Sequence, residues 1–321
     1  MFSSFRATDV LAAGDRIRPF VKRTPLVRSE WLSAIAGGDV YLKLESEQIT
    51  GSFKLRGAFN VLATLAPDVR ARGIVASSAG NHGLGIAHAA KHFGVPATIF
   101  VPCTVAQIKR DGIAALGAQI DSTQPHYDAA MEAAMAFAAE RGATFVNPCA
   151  GEMLIAGQGT VALEILEALP DLATLVAGVG GGGLLGGCAS LVRAVAPRVR
   201  IVGAQGEHTA AMSLSLAAGR VVEIDNLPTL AEGLAGQIDD YALDIGQHAI
   251  DDIVTLSEAD IARSIEWLWM EHRQRAEGAG ACAVGAVALR KIARIATPAA
   301  VVVSGGNIDP AKFDRIVSSN A

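Results

Sequence analysis

The run LATLVAGVGGGGLLGGCASLV, residues 172–192, decides how this chain is read. It carries no charge and is long enough to raise the question of a membrane span, yet seven of its residues are glycine, and each weakens a helix. It reads instead as a strand from Leu175 to Gly178, a glycine loop and a helix. Four consecutive residues without side chains, Gly180 to Gly183, let backbone amides close on a phosphate, with the positive end of a helix behind them. Two other readings stay open on this stretch alone. Gly178, Gly180 and Gly183 satisfy G-x-G-x-x-G with Glu207 following at a strand end, as in dinucleotide binding; the glycines also suit tight helix–strand packing.

Outward from this loop, apolar runs of strand length alternate with longer Ala-rich stretches, the pattern of parallel strands joined by right-handed crossovers. The class is α/β. Predicted strands are Val40–Leu44, Gly73–Ala76, Ala97–Val101, Leu175–Gly178, Arg200–Ala204 and Ala299–Val303. Predicted helices are Asn81–Phe93, stopped by Gly94 and Pro96; Tyr127–Glu140, stopped by Gly142; Thr160–Leu169, stopped by Pro170; and Glu258–Arg275, opened by Ser257. The break at Phe145-Val146-Asn147-Pro148, with another near Gly51, divides the chain into a larger domain of residues 1–51 and 149–321 and a smaller one of residues 52–148.

Composition narrows the function. The chain has 321 residues, with 27 Lys and Arg against 32 Asp and Glu, a formal charge of −5 and no basic cluster, so a nucleic-acid partner is excluded. At 51% hydrophobic residues it is no disordered chain. Asp9 and Asp15 interrupt the N-terminal stretch before an apolar core forms, which argues against a secretory signal and for the cytoplasm. Cys103, Cys149, Cys188 and Cys282 lie far apart without C-x-x-C spacing, so neither a disulfide framework nor a metal at sulfur is expected.

Three further elements carry candidate chemistry. Lys54 lies in GSFKLRGA, residues 51–58, between Phe53 and Leu55. An amine beside apolar groups loses basicity and can form an imine with an aldehyde, although a solvated lysine at a helix start reads the same way. The run Ser77-Ser78-Ala79-Gly80-Asn81-His82-Gly83 follows a strand and opens a helix, where free amides can take a carboxylate and Ser78, Asn81 and His82 add side-chain donors. An ordinary N-cap with a packing histidine is the competing reading. Ser304-Gly305-Gly306-Asn307 closes the last strand, at the edge where open parallel sheets bind ligands, or is a plain turn.

Taken together, a lysine for an imine, a glycine loop for a phosphate, an anion-binding helix start and a hydroxyl at a strand end describe pyridoxal phosphate in a cleft. At this point the chain resembles the serine/threonine dehydratase family of fold type II (tryptophan synthase β-like) pyridoxal-phosphate enzymes, which includes serine racemases. The likeness runs from Arg23-Thr24-Pro25-Leu26 through GSFKLRGA, SAGNHG, Gly157-Gln158-Gly159-Thr160, the tetraglycine loop and Glu277-Gly278-Ala279-Gly280-Ala281 to SGGN.

The resemblance implies two open, twisted, mostly parallel sheets flanked by helices, and a homodimer. It gives Lys54 and Ser78 as catalytic residues and implies that Lys54 joins the cofactor, Phe53 packs on its ring, Asn81 bonds the ring hydroxyl, Gly180, Gly181, Gly182 and Gly183 hold the phosphate, and Ser304 faces the ring nitrogen. Ser78, Ala79, Gly80, Asn81 and His82 then hold the substrate carboxylate. The implied reaction removes water from a β-hydroxy amino acid to give a 2-oxo acid and ammonia.

Two departures refine it. Ala79 stands where the racemases carry a serine, so little racemisation is expected. The cation site common in the family is matched at Glu207 and Ala211 but has Ser213 for its acid, which leaves metal binding open and no metal expected. The stretch Leu227–Gly236 also resembles dehydratases of amino-acid derivatives such as hydroxyectoine. An NAD-dependent oxidoreductase and a non-catalytic binding module are the competing classes; threonine synthase and O-acetylserine sulfhydrylase are relatives within the cofactor class.

Overall fold

The computed structural model describes residues 6–225 and 227–318. Its strands, in chain order, are β1 (Leu26–Arg28), β2 (Val40–Leu44), β3 (Ile74–Ser77), β4 (Ala97–Pro102), β5 (Gln119–Gln124), β6 (Thr144–Phe145), β7 (Thr174–Gly178), β8 (Arg200–Gly206), β9 (Asp252–Leu256) and β10 (Ala299–Val303). They form two sheets, one of six strands in the order β1-β2-β10-β7-β8-β9 and one of four in the order β5-β4-β3-β6. Every pairing is parallel except that of β1 with β2. The four-stranded sheet draws only on residues 74–145, whereas the other takes strands from both sides of that segment.

Both sheets are covered on both faces, as parallel sheets require. In β7, Leu175 and Ala177 point into one core and Val176 into another; in β10, Ala300 and Val302 share the first core while Val301 and Val303 enter the second. The smaller sheet repeats the arrangement, with Ile74 and Ala76 on one side and Val75 on the other.

The six strands read from sequence are the six interior strands of the two sheets, to within a residue or two at their ends. The four that the sequence does not signal, β1, β5, β6 and β9, are the four edges. Three of the predicted helices needed their ends moved, and Asn81–Phe93 stands as read. Tyr127–Arg141 ends one residue later than expected. The helix expected from Thr160 begins at Glu152, because Gly157 and Gly159 are helical and serve close packing. A Cβ on Gly159 would lie 2.5 Å from the Gly187 carbonyl oxygen, and one on Gly157 would lie 2.6 Å from that of Arg56. The helix from Glu258 stops at His272, where Arg273 turns left-handed at φ 54°; at its start, Ser257 Oγ accepts the Asp260 amide at 3.2 Å.

Candidate active site

Parallel strands send their carboxyl ends to one edge, and the four sequence elements gather there. β7 ends at Gly178 and leads into the glycine loop; its neighbour β10 ends at Val303 and leads into Ser304. β3 ends at Ser77 and is joined by three residues, Ser78, Ala79 and Gly80, to the helix Asn81–Phe93. The GSFK segment is tied to β10 by a bridge between Ser52 and Gly305, by the Phe53 amide donating to the Ser304 carbonyl at 3.1 Å, and by the Gly306 amide donating to Gly51 at 2.9 Å. Ser304 is buried.

Lys54 opens the helix Lys54–Thr64, which is held by close backbone approaches on two sides. A Cβ on Gly85 would lie 3.3 Å from Lys54 backbone atoms, and one on Gly57 would lie 2.4 Å from the Gln158 side chain. The half-buried Lys54 Nζ donates to the Pro148 carbonyl at 2.7 Å and lies 3.9 Å from Cys149 Sγ and 5.2 Å from the Phe53 ring centre. Asn147 sets that carbonyl, because its Oδ1 accepts the amides of Cys149 and Ala150 at 2.8 and 2.9 Å.

Cys149 in turn lies against the glycine loop. A Cβ on Gly181 would sit 2.8 Å from Cys149 Cβ, and one on Gly183 would sit 3.0 Å from the Cys149 carbonyl oxygen. Gly182 takes φ +81°, open to glycine without strain, and the Gly186 amide makes the first turn's bond to its carbonyl at 2.7 Å. The amides of Gly183, Leu184 and Leu185 precede that bond and have no intrahelical acceptor.

One side chain of the SAGNHG segment, the His82 ring, departs from the expectation of a carboxylate donor. His82 is buried, and its Nε2–H donates to the Val146 carbonyl at 2.9 Å, while Nδ1 is buried without a partner. Burial, and then the nearby Lys54 charge, push its pKa down to about 3. The imidazole is therefore a packing group, and only its backbone amide remains at the helix start to meet a carboxylate. A proton NMR titration of the His82 ring should show no protonation between pH 5 and 8; a midpoint in that window would reverse the assignment. Asn81 Nδ2 donates to Glu277 at 2.6 Å, and its Oδ1 accepts from Asn307 at 2.7 Å. Ser78 Oγ accepts the Gly80 amide at 3.2 Å.

Glu277, Asn147, Pro148, Cys149 and Asn307 join this cluster although the sequence signals no side-chain role for any of them. In the sequence, Asn147 and Pro148 register only as a break in periodicity. Among the described residues, no group of three or more His, Cys, Asp or Glu side chains is arranged to hold a metal ion. Glu207 is exposed, and the Ser213 amide is spent on Gln205 at 2.9 Å. No helix of the described residues is long and apolar enough to cross a membrane, and all four cysteines are free thiols.

Comparison with known proteins places this geometry. The family described as "Pyridoxal-phosphate dependent enzyme" matches residues 17–305. An L-threonine ammonia-lyase of Thermotoga maritima is 42% identical over 311 residues, covering 97% of this chain and 77% of that protein. Among solved structures, maize serine racemase superposes with a TM-score of 0.92 at 28% identity, covering 98% of both chains. The processed form of threonine deaminase isoform 2 from Solanum lycopersicum gives 0.91 at 32% identity, covering 97% of this chain and 86% of that one.

Proposed function

This chain belongs to the family of pyridoxal-phosphate-dependent enzymes, and on that premise we propose that it is an ammonia-lyase removing water from a β-hydroxy amino acid, threonine first. The observation that carries the reading is the meeting of Lys54 with the glycine loop across Cys149. An amine and a row of side-chain-free amides thus border one space. The family match also displaces the dinucleotide reading of Gly178, Gly180 and Gly183.

The residues fit the cofactor. Side chains on Gly181 and Gly183 would strike Cys149, so the loop is kept bare where an anion needs its amides. Gly180 to Gly183 would hold the phosphate, Phe53 would pack on the ring, Asn81 would reach the ring hydroxyl and Ser304 would face the ring nitrogen. Bound pyridoxal phosphate supplies an aldehyde for an amine and a conjugated ring that draws electrons from the α-carbon.

The chain's own contributions follow. Lys54 takes the α-proton at Nζ, with the Pro148 carbonyl orienting the amine. The start of the helix Asn81–Phe93 fixes the substrate carboxylate through its free amides, with Ser78 beside it. Ala79 has no proton to deliver to the opposite face, so elimination proceeds with little racemisation. We take the smaller unit, residues 52–148, to close over the substrate while residues 1–51 and 149–321 hold the cofactor. This division is supported by the confinement of one sheet to residues 74–145. The working form on this reading is a cytoplasmic homodimer.

Purified protein given L-threonine, L-serine or hydroxyectoine, with ammonia assayed, tests the assignment. Ammonia from threonine with a visible cofactor band is the expected result. Racemised serine without ammonia would overturn it in favour of a racemase, and ammonia from hydroxyectoine alone would move the substrate to a derivative.

A further inference from the structure

Glu277 is the acidic side chain at the centre of the cluster that the reaction above does not use. It ends the segment before the helix Gly278–Ala288, and its amide donates to the Gly305 carbonyl at 3.1 Å. Its carboxylate lies where a Cβ on Gly305 would come within 2.3 Å of Oε1, so the bare backbone of SGGN makes room for it. Its Oε1 accepts a hydrogen bond from Asn81 Nδ2 at 2.6 Å.

An amide side chain can be turned end for end with little change of shape, so something must choose its orientation. An ionised carboxylate only accepts, which forces Nδ2 of Asn81 toward Glu277 and Oδ1 toward Asn307. Asn307 Nδ2 donates to that oxygen at 2.7 Å and also approaches the Thr50 carbonyl at 2.8 Å, which fixes its own orientation. One Asn81 N–H is spent on Glu277, and one remains.

We infer that Glu277 is a positioning residue whose ionised carboxylate locks the Asn81 amide so that its second N–H stays available to the cofactor. The inference rests on the proposed contact between Asn81 and the cofactor. Protonation removes the lock, because a carboxylic acid can donate and no longer dictates which end of the amide it meets. Burial, with Glu232 adding like charge, raises the Glu277 pKa to about 7, against the Asn81 hydrogen bond and the charges of Lys109 and Lys54. Those are the charged groups that face it: Glu232 from the turn Glu232–Leu234, Lys109 from the helix Gln107–Ala114 and Lys54 from its own helix. Glu232 is itself paired with Lys109 at 2.9 Å and Lys312 at 2.5 Å. The lock is therefore set above pH 7 and released below it.

The test is a titration of pyridoxal phosphate into cofactor-stripped wild type, Glu277→Ala, Glu277→Gln and Asn81→Ala at pH 8.5 and pH 6. Protein fluorescence and the visible band are read, and melting of each stripped protein checks its fold. Glu277→Ala should bind about tenfold more weakly than wild type at pH 8.5, the loss of one hydrogen bond to a charged group, and nearly as well as wild type at pH 6. Glu277→Gln, like the protonated acid, can donate as well as accept and does not dictate which end of the Asn81 amide it meets. It should bind more weakly than wild type at pH 8.5 and about as well as wild type at pH 6. Equal binding by Glu277→Ala and wild type at pH 8.5, with Asn81→Ala weakened, overturns the inference and leaves the Asn81 contact standing. Unweakened binding by Asn81→Ala overturns the underlying contact instead. Should Glu277→Ala not fold, a ratio of wild type to Glu277→Gln that is the same at both pH values overturns the inference alone.

Discussion

Replacing Lys54 with alanine is expected to lower ammonia release by roughly 10³–10⁴-fold or more, because on the proposed reading the variant loses both the amine that would join the cofactor and the base that would take the α-proton. The fold should survive. Lys54 is half-buried at the first position of its helix, and its one close polar acceptor, the Pro148 carbonyl, keeps its setting through Asn147. The variant should melt within a few degrees of wild type when both are stripped of cofactor, and borohydride should fix no cofactor to residues 51–58. Activity above about a tenth of wild type would remove Lys54 from the reaction.

The second large effect is on stability. Two residues beyond Lys54, Arg56 is fully buried between two carboxylates. Its Nε and Nη2 each donate to Glu45 at 2.8 Å, and Nη1 and Nη2 donate to Glu164 at 2.7 and 3.0 Å. Lys43, also buried, completes the balance by pairing with Glu164 at 2.5 Å and donating to the Thr24 carbonyl at 2.7 Å. Two cations and two anions thus cancel in a space that excludes water. Arg56→Met would leave both carboxylates sharing one lysine, an uncompensated buried charge that costs about 3–5 kcal/mol.

Guanidinium unfolding followed by circular dichroism should show this loss, and a change below about 1 kcal/mol would mean the charges are dispensable. The pH dependence has a definite sign. Burial pushes Glu164 up, but hydrogen bonds and charge from Arg56, with Lys43, more than reverse it and hold the carboxyl below its ordinary range. Its contribution is present above the ordinary carboxylate pKa and is lost as pH falls through the lowered folded value. Removing Arg56 should flatten that acid limb.

What sequence reveals here follows the distribution of water. Interior strands such as β7 and β10 are buried on both faces and appear as short apolar runs. The edge strand β5, Gln119–Gln124, is polar throughout apart from Ile120 and has no fully buried residue, so nothing in its composition separates it from a loop. The helix Gly278–Ala288 is buried along nearly its whole length and has no polar face to give it a period.

The candidate site divides in a similar way. Lys54 and the glycine loop were legible because a lysine set between apolar residues and four glycines in a row stand out in the local sequence. The orientation of Asn81, the burial of the His82 ring and the position of Cys149 depend on segments far apart in the chain, and no local spacing records them. Glu277 could be singled out only as part of EGAGA; its partner lies 196 residues away.

The sheet order also sets a timetable for synthesis. β2 lies between β1 and β10, so its parallel neighbour is not made until residues 299–303 leave the ribosome. At about 5–20 residues per second, the interval after Leu44 is on the order of ten to fifty seconds. For that time Val40–Leu44 exposes an unpaired apolar edge, while residues 74–145 already contain every strand of their own sheet. The nascent chain is therefore most prone to stick to its neighbours late in translation. A stop codon just before residue 299 would leave that edge open permanently.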